Sequence, residues 1–287
     1  MKAIYKRELA SYFKSMIGYV FMFFVFFIVG VYFRAYNLAY AYPTIAATLS
    51  SITFLFLVAI PILTMRVLSE ERKQKTDQLL LTAPVSVRKI VCGKYFALGT
   101  VYAIPMAVIS LYPLILRSFG KISYAQNYTA ILGFFLLGLT NIAIGMFISS
   151  LTENQIVAAV LTFIAMFVCY MITALESLFT DTAKASFGVT VVLCLIFAAF
   201  LYFMTKSYVV AGLVGVVLEI VAILVYVIKA SLYEGFVTSI MEMFNLDGRF
   251  QSFVGGTIDL KAIFYFLSVI FVFVFLTIQS VNKRRWS

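Results

Sequence analysis

Histidine is absent from this sequence, and other residues that carry chemistry are few and isolated. Without imidazole side chains the chain cannot form a Ser-His-Asp triad, an HExxH zinc site or any other histidine-based centre. The cysteines Cys92, Cys169 and Cys194 stand far apart with no CxxC pair, so no thiol metal site is indicated. We therefore expect no catalytic residue, no metal ligand and no bound cofactor in this chain.

Charged residues are also scarce. They make up 12% of the chain, whereas 63% of the residues are hydrophobic and the mean hydropathy is +1.04. Soluble domains contain roughly half apolar and a quarter charged residues. Apolar runs of about 20 residues, long enough to cross ~30 Å of hydrocarbon, recur along the whole sequence. The composition predicts an all-α, polytopic membrane protein with a single transmembrane domain over residues 1–287.

Eight transmembrane helices are predicted from these runs. The sixth and seventh are separated by three residues only, so a re-entrant or broken pair, with six full spans in total, is the alternative. The predicted spans are Ile17 to Tyr36, Thr44 to Met65, Tyr95 to Leu116, Tyr128 to Leu151, Gln155 to Leu175, Phe187 to Met204, Tyr208 to Ile228 and Ala262 to Val281.

The 22 Lys and Arg residues are distributed unevenly among the connections. Most of them fall in residues 2–16, in the loop 66–94 and after Val281, which would share one side of the membrane. Because basic residues concentrate in cytoplasmic loops, both termini are predicted to be cytoplasmic. The positive excess is explained by topology and by attraction to anionic lipid headgroups, so we do not predict nucleic-acid binding.

The N-terminal residues 2–16 have an amphipathic pattern. One helical face carries Tyr5, Leu9, Tyr12, Phe13 and Met16. This pattern is typical of a helix on the inner membrane surface, although a simple topogenic flank is the alternative. The apolar run that follows is longer than the core of a signal peptide and ends in no cleavage site, so we expect it to stay in the mature chain.

The loop 66–94 is the main candidate for a functional site. It reads SEERKQKTDQ, then LLL, then TAPVS, then RKIVCGK. Pro84 stops helix propagation and Ser86 is placed to cap the next helix, which predicts helix, turn, helix. The three consecutive leucines cannot all face the charged side, and an exposed apolar patch of this kind commonly marks a partner interface.

Two polar residues within the predicted spans are candidates for a role inside the membrane. Glu219 is the only acid in the middle of a span, and an unpaired charge there costs ~2.5 to 3.5 kcal/mol. It is a candidate for transport chemistry or for a structural hydrogen bond. Asn141 is more simply explained by an interhelical hydrogen bond of about 1 kcal/mol.

The longest connection on the opposite side covers residues 229–261. A helical face there carries Leu232, Phe236, Val237, Ile240 and Phe244. We expect an amphipathic, extracytoplasmic helix that anchors at the membrane interface, gates the pore or contacts an auxiliary extracytoplasmic subunit.

An energy source is not encoded in the chain. No GxxxxGK[ST] phosphate loop occurs, so ATP hydrolysis of that kind must come from another subunit. The order E-E-R-K-Q-x-T-x-x-L-L-L-T-x-P-V-S between the second and third spans resembles the cytoplasmic coupling element of ABC exporter permeases, in the ABC-type-two membrane family. The N-terminal KAIYKRELASYFKSMIGYVF and the C-terminal GGTIDLKAIFYFLS and QSVNKRRWS resemble its branch found with gliding-motility and nitrous-oxide-reductase gene clusters.

The resemblance implies a transporter in the bacterial cytoplasmic membrane. Two permease subunits, identical or different, would work with two separate ATPase subunits that bind ATP and Mg²⁺. The residues implied in ATPase coupling are Glu70, Glu71, Thr76, Leu79, Leu80, Leu81, Thr82 and Pro84. The chain departs from the family pattern at Lys75, where Gly is frequent, and at Gln78, where Glu is frequent.

Two other function classes stay open. The chain could be a gradient-driven carrier or channel, or a membrane anchor that transmits ATPase motion to an outer partner. An ATPase that co-purifies with the chain would separate an exporter subunit from a carrier. ATPase activity with no transported solute would favour the anchor.

Overall fold

The computed structural model describes residues 1–76, 85–176, 183, 186–191, 208–228, 233 and 235–285. Within these residues the chain is helical and contains no strand. Two compact units are present: Met1–Val168 with Leu246–Ser287, and Cys169–Asn245.

The first unit contains most of the helices. They are α1 (Lys2–Lys14), α2 (Met16–Tyr32) with a π-helical extension (Phe33–Ala39), α3 (Ile45–Ser51), α4 (Leu55–Thr64), α5 (Ser69–Lys73), α6 (Val87–Ile109), α7 (Tyr112–Leu116) with a 3₁₀ turn (Arg117–Phe119), and α8 (Tyr124–Leu151). The helix α9 (Gln155–Glu176) enters the second unit, which also contains α10 (Tyr208–Ile228) and α11 (Phe236–Phe244). The chain returns to the first unit with α12 (Leu246–Val254) and α13 (Leu260–Arg285).

The prediction of a polytopic helical membrane protein is confirmed. Five helices in the described part of the chain are long and apolar enough to cross a membrane: Met16–Ala39, Val87–Phe119, Tyr124–Leu151, Gln155–Ala174 and Leu260–Lys283. They match the first, third, fourth, fifth and eighth predicted spans. The seventh corresponds to α10, whose residues Val214–Val227 form a shorter apolar stretch. Most of the sixth lies outside the described residues, and the total of eight stays a prediction.

The second predicted span is broken. Its two parts, Ile45–Ser51 and Leu55–Lys73, meet at an angle of 69°. The backbone N–H of Leu55 donates to the carbonyl of Ile52 at 2.8 Å, so the chain makes an i to i−3 turn here rather than a continuous α-helix. The Ser51 hydroxyl also donates to the carbonyl of Ala47 at 2.9 Å, and hydroxyl bonds of this kind bend helices.

The start of α3 is capped by a side chain from α8. The Asn127 carboxamide oxygen accepts from the backbone N–H of Ile45 at 2.6 Å, and Asn127 is fully buried. Helix N-termini leave N–H groups without partners inside the helix, and a buried end needs an acceptor from elsewhere. Asn127 therefore fixes α3 to α8.

Close packing on α8 depends on three glycines. A Cβ atom at Gly133 would lie 2.6 Å from Phe253, one at Gly138 would lie 2.4 Å from Tyr102, and one at Gly145 would lie 2.4 Å from Thr64. These contacts bring α12, α6 and α4 onto the same helix. Because interiors are packed without voids, small residues let neighbouring helices approach closely. The helix α8 is therefore the centre of the first unit.

The second unit contains an aromatic cluster. The ring centroids of Phe187 and Tyr226 lie 4.6 Å apart in a stacked arrangement, and Tyr233 packs edge-on against Phe187 at 5.8 Å. At the ends of this unit, the Thr173 hydroxyl lies 3.1 Å from the Asn245 carboxamide oxygen.

Candidate functional site: a charge cluster at the root of loop 66–94

Lys94 lies in the third turn of α6 and is almost completely buried, with 1% of its surface exposed. Its Nζ atom donates to Glu71 Oε2 at 2.9 Å and to Glu8 Oε1 at 3.1 Å. A third bond, of 3.0 Å, reaches the carbonyl of Val67. An ammonium group buried this deeply requires such partners, because removing a charge from water is costly unless it is paired and hydrogen-bonded.

Arg7 closes the arrangement from the solvent side. Its Nη2 atom lies 2.7 Å from Glu8 Oε1 and 2.8 Å from Glu71 Oε1. Each carboxylate therefore contacts the buried Lys94 on one side and the half-exposed Arg7 on the other. We call these four residues, Arg7, Glu8, Glu71 and Lys94, the charge cluster. Its two positive and two negative groups compensate each other.

The electrostatics of the charge cluster favour the ionised form of the Glu8 carboxyl. Burial acts to raise the pKa of the Glu8 carboxyl, but Lys94 and Arg7 outweigh burial and the pKa is lowered below its ordinary value. Burial likewise acts to lower the pKa of the Arg7 guanidinium, but its bonds with Glu8 and Glu71 raise it. Glu8 and Arg7 thus keep their charges at neutral pH.

One face of the helix α1 places Glu8 in the charge cluster. Ile4, Glu8 and Tyr12 are four residues apart and lie on one helical face. A Cβ atom at Gly93 of α6 would lie 3.3 Å from Ile4, so the two helices approach closely at this glycine. The Tyr12 hydroxyl, which is buried, donates to the carbonyl of Leu63 at 3.0 Å. Burial raises the pKa of this phenol, so it stays protonated and can donate.

Two predictions were made for residues 2–16: that they form a helix, and that this helix lies on the inner membrane surface. The helix predicted over residues 2–16 is observed as α1, but Met16 begins α2 and is 81% exposed. Whether α1 lies on the inner membrane surface stays a prediction.

The first residues of the loop 66–94 also form hydrogen bonds with the C-terminal end of α8. The Ser149 hydroxyl oxygen lies 3.3 Å from the backbone N–H groups of Leu68 and Ser69, and accepts from both. The Arg72 guanidinium donates to the carbonyl of Ser150 at 3.0 Å and lies 3.6 Å from Glu153. A cation at a helix C-terminus is favourable because the last carbonyls carry partial negative charge. The helix α5 is thus attached to α1, α6 and α8 together.

The end of α5 has a well-defined turn. The N–H of Thr76 donates to the carbonyl of Glu71 at 2.9 Å, and the N–H of Lys75 donates to that of Arg72 at 3.0 Å. These two bonds define a Schellman motif, whose left-handed position usually carries glycine. Lys75 occupies this position with φ of 55°. The departure from the family pattern at Lys75 therefore falls at the residue with the least favourable backbone conformation in the turn.

A cavity of about 330 Å³ opens beside the charge cluster. Glu70 lines it, pairs with Arg66 four residues earlier in the chain and accepts from Gln74 at 3.2 Å. The other lining residues are Arg7, Glu8, Ser11, Tyr12, Arg66, Val67, Glu71, Gln74 and Thr76. Its walls thus come from α1 and from the first part of the loop.

The structure brings together only part of the predicted site. Glu70, Glu71 and Thr76 share the cavity. Leu79, Leu80, Leu81, Thr82 and Pro84 lie outside the described residues. Ser86 is the N-cap residue of α6, as predicted from its position, but its side chain makes no capping bond.

The two intramembrane candidates lie in different units. Asn141 is buried on α8, and its carboxamide oxygen has no hydrogen-bond partner within the described part of the chain. The predicted interhelical hydrogen bond of Asn141 stays a prediction. Glu219 is half-buried on α10.

Sequence reasoning missed Arg7, Glu8 and Lys94 as site residues, because it assigned the basic residues of this region to topology alone. A signal was nevertheless present. Glu8 is the only acid in the N-terminal helix, and Lys94 directly precedes a long apolar run. Where the chain is described, no group of three His, Cys, Asp or Glu side chains could hold a metal ion.

A protein-family model matches most of the chain. Residues 31–228, well over half of the chain, match the model of the ABC-2 family transporter proteins, and no curated protein matches the sequence. The matched segment includes α5 and the loop 66–94. The narrower resemblance to the gliding-motility and nitrous-oxide branch stays a prediction. The chain belongs to the ABC-2 transporter family, as a multi-pass membrane permease whose family implies an ATPase partner.

Proposed function

We propose that this permease is the membrane subunit of an ABC exporter in the cell membrane, and that the charge cluster transmits motion from the ATPase to the spans. Two permease subunits, identical or different, form the translocation unit. Two ATPase subunits bind ATP and Mg²⁺ and dock on the cytoplasmic loop 66–94. The observation that carries this proposal is the buried contact of Lys94 with both Glu8 and Glu71.

The cluster connects elements that are distant in sequence. Glu71 comes from α5, Lys94 from α6 and Glu8 from α1. Separating a buried charge from its partner costs ~3–5 kcal/mol, because the remaining charge is left uncompensated. A displacement of α5 is therefore cheaper when α1 and α6 move with it. An ATPase that moves the loop would shift these three helices as one group.

Docking on the ATPase is assigned to the loop by its residue types. The leucines Leu79, Leu80 and Leu81 supply apolar surface, while Glu70, Glu71 and Thr76 line a cavity that admits polar side chains. Thr82 and Pro84 complete the set implied by the family resemblance. Interfaces are commonly built in this way, with an apolar centre and a polar rim.

The two roles can be separated by two variants. The double substitution of Leu79 and Leu80 by Asp should abolish co-purification of the ATPase, because charges replace the apolar contact. Glu71→Gln should leave most of the ATPase bound, because the apolar contact of the leucines remains, but lower the ATP turnover of the assembled complex at least several-fold. Glu153→Gln is the matched control, since this acid is 70% exposed and pairs only at the surface.

Two results would contradict the proposal. Full assembly and normal turnover of the double Asp variant would remove the leucines from docking. A loss of turnover in Glu153→Gln equal to that in Glu71→Gln would show a general charge effect rather than transmission through the cluster.

An auxiliary extracytoplasmic subunit is proposed to contact residues 229–261. The support is that Met243 and Phe244, at the end of α11, are 66% and 59% exposed. Membrane lipid could cover the same side chains. Photo-crosslinking from position 243 in native membranes would distinguish a protein adduct from a lipid adduct.

A further inference from the structure

The helix α12 is short but deeply packed within the first unit. Phe250 and Phe253 are fully buried. The Phe253 ring covers Gly133 of α8, and the Phe250 ring packs edge-on against Phe134 with centroids 5.9 Å apart. The sequence pattern of residues 229–261 predicted an amphipathic helix at the membrane interface, and it contained no sign of this second, buried helix.

Side chains of α8 also hold the C-terminus of α12. The Thr129 hydroxyl donates to the carbonyl of Phe253 at 3.2 Å, and the Gln126 carboxamide donates to the carbonyl of Val254 at 3.1 Å. Carbonyls at a helix end have no partner within the helix, so these two bonds satisfy them. The position of α12 along α8 is therefore well defined.

A second face of α12 contacts the break in the second span. The Gln251 carboxamide donates to the Ser50 hydroxyl at 2.9 Å. One turn earlier on α12, the Asp247 carboxylate lies within hydrogen-bonding reach of the Thr53 hydroxyl. Ser50 and Thr53 lie on either side of the point where α3 ends. These contacts of Asp247 and Gln251 with Thr53 and Ser50 form what we call the α12 latch.

The Asp247 carboxylate has a neutral environment. The helices α3 and α8 contain no charged residue, and the titratable residues of α8 are Tyr124 and Tyr128. The helix α13 carries Lys261 in its first turn and Tyr265, over which Arg249 of α12 lies at 5.6 Å. Burial raises the pKa of Asp247 to about 6, and the bond from Thr53 only partly opposes this effect.

We propose that the α12 latch positions the break of the second span and that protonation of Asp247 tightens it. In the docked helix the neutral carboxyl group carries no cost of burying a charge, and Thr53 can still bond to it. When Asp247 is ionised, that cost weakens the docked state. The latch thus lets the proton concentration on its side of the membrane control how firmly the bend is held. This inference does not depend on the proposed ATPase coupling.

The direction of the pH dependence follows from the two pKa values of the same group. The pKa is 3.8 for the free carboxyl and about 6 in the docked helix. The extra stability is fully present below pH 3.8 and is lost as the pH rises through 6. Between pH 7.5 and 5.0 the docking equilibrium should therefore strengthen about tenfold.

Hydrogen exchange of the full-length protein in lipid nanodiscs tests the latch. Protection of the α12 amides, corrected for the intrinsic effect of pH on exchange, should rise about tenfold from pH 7.5 to 5.0. The amides in the middle of α8 serve as an internal reference and should not change. In Asp247→Asn, which is neutral at both pH values, α12 protection should be high and independent of pH.

A second variant tests the contact independently of the titration. Gln251→Ala removes the bond to Ser50 and should lower α12 protection several-fold at both pH values, while the pH dependence remains. Unchanged α12 protection in the wild type across this pH range would overturn the proposal. An equal pH response in Asp247→Asn would do so as well, because another group would then be titrating.

Discussion

The two ends of α8 are held by opposite means. At its C-terminal end, the charge cluster and the contact between Arg72 and Glu153 use full charges that are paired with opposite charges. At its N-terminal end, α12 is held by aromatic packing, by neutral hydrogen bonds and by Asp247, an acid for which no ion pair is seen among the described residues. Paired charges resist a change of pH but fail when one partner is removed. A single carboxyl without a counter-charge responds to pH itself.

This difference suits the two positions. A connection that transmits force from another subunit needs contacts that persist at every cellular pH. A contact on a bend can instead be adjusted by a small change in free energy, since a shift of one pKa unit corresponds to ~1.4 kcal/mol. The predictions below perturb one end of α8 at a time.

The largest effect is expected from Lys94→Met. It leaves Glu8 and Glu71 buried side by side without their shared cation, and should destabilise the first unit by ~3–5 kcal/mol. Thermal unfolding in detergent measures the loss. The control is Lys89→Met on the same helix, whose side chain is exposed and whose effect should stay within about 0.5 kcal/mol. Equal destabilisation by both substitutions would show that burial of the ion pairs is unimportant.

A smaller effect is expected at the other end from Gly133→Ala. The added Cβ atom would lie 2.6 Å from the Phe253 side chain. Because this distance is too short, α12 must move away from α8. Overpacking of this kind costs ~1–3 kcal/mol. Hydrogen exchange should show faster exchange in α12 and no change in α1 or α5. At Gly30 nothing lies within 4 Å of the added atom, so Gly30→Ala should not destabilise the protein and serves as the control.

Acidification from pH 7.5 to 5.0 should leave the contacts of Glu8 in the charge cluster unchanged. The lowered pKa of Glu8 means that its contribution is present above the ordinary value of 4.5 and is lost only as the pH falls through its folded value. The protection of α1 amides, corrected for intrinsic exchange, should therefore stay constant while that of α12 rises. A parallel response of both helices would refute the contrast between the two ends.

The smallest effect is expected from Lys75→Gly. Glycine adopts positive φ without the penalty of ~1–2 kcal/mol that other residues incur, although part of this gain is lost to the greater freedom of the unfolded chain. The turn after α5 should be stabilised by about 0.5–1 kcal/mol. Thermal unfolding of this variant measures the gain, and Lys73→Gly on α5 serves as the control because it should destabilise the helix by a similar amount.

Most of the spanning helices could be predicted from the sequence, because hydropathy is a local property that needs no knowledge of neighbours. The break at Ile52 was not predicted. Its cause lies partly in Ser51, whose hydroxyl bonds back to Ala47, and partly in contacts from α8 and α12 that are remote in sequence. Apolar residues predominate on both sides of the break, so a hydropathy pattern does not reveal it.

The sequence predicted where the candidate site lies, but it did not predict all of the residues that form it. Glu70 and Glu71 were identified because they belong to a charged loop with a family pattern, and Glu71 proved to be shared between Lys94 and Arg7. Charge counting assigned Arg7 and Lys94 to topology, since a count cannot distinguish an exposed cation from a buried one. Leu79, Leu80 and Leu81 lie outside the described residues, so their contact with the ATPase stays a prediction.

By itself, the amino-acid sequence determined that the chain spans a membrane several times, that it lacks its own phosphate loop and that a charged loop interrupts its spans. These properties are sums over local residue types. Only the tertiary structure decided that Glu8, Glu71 and Lys94 meet, and that α12 lies across the bend near Thr53. Such contacts join residues that are 23 to 194 positions apart, and which of many charged or polar side chains become partners depends on how the helices pack.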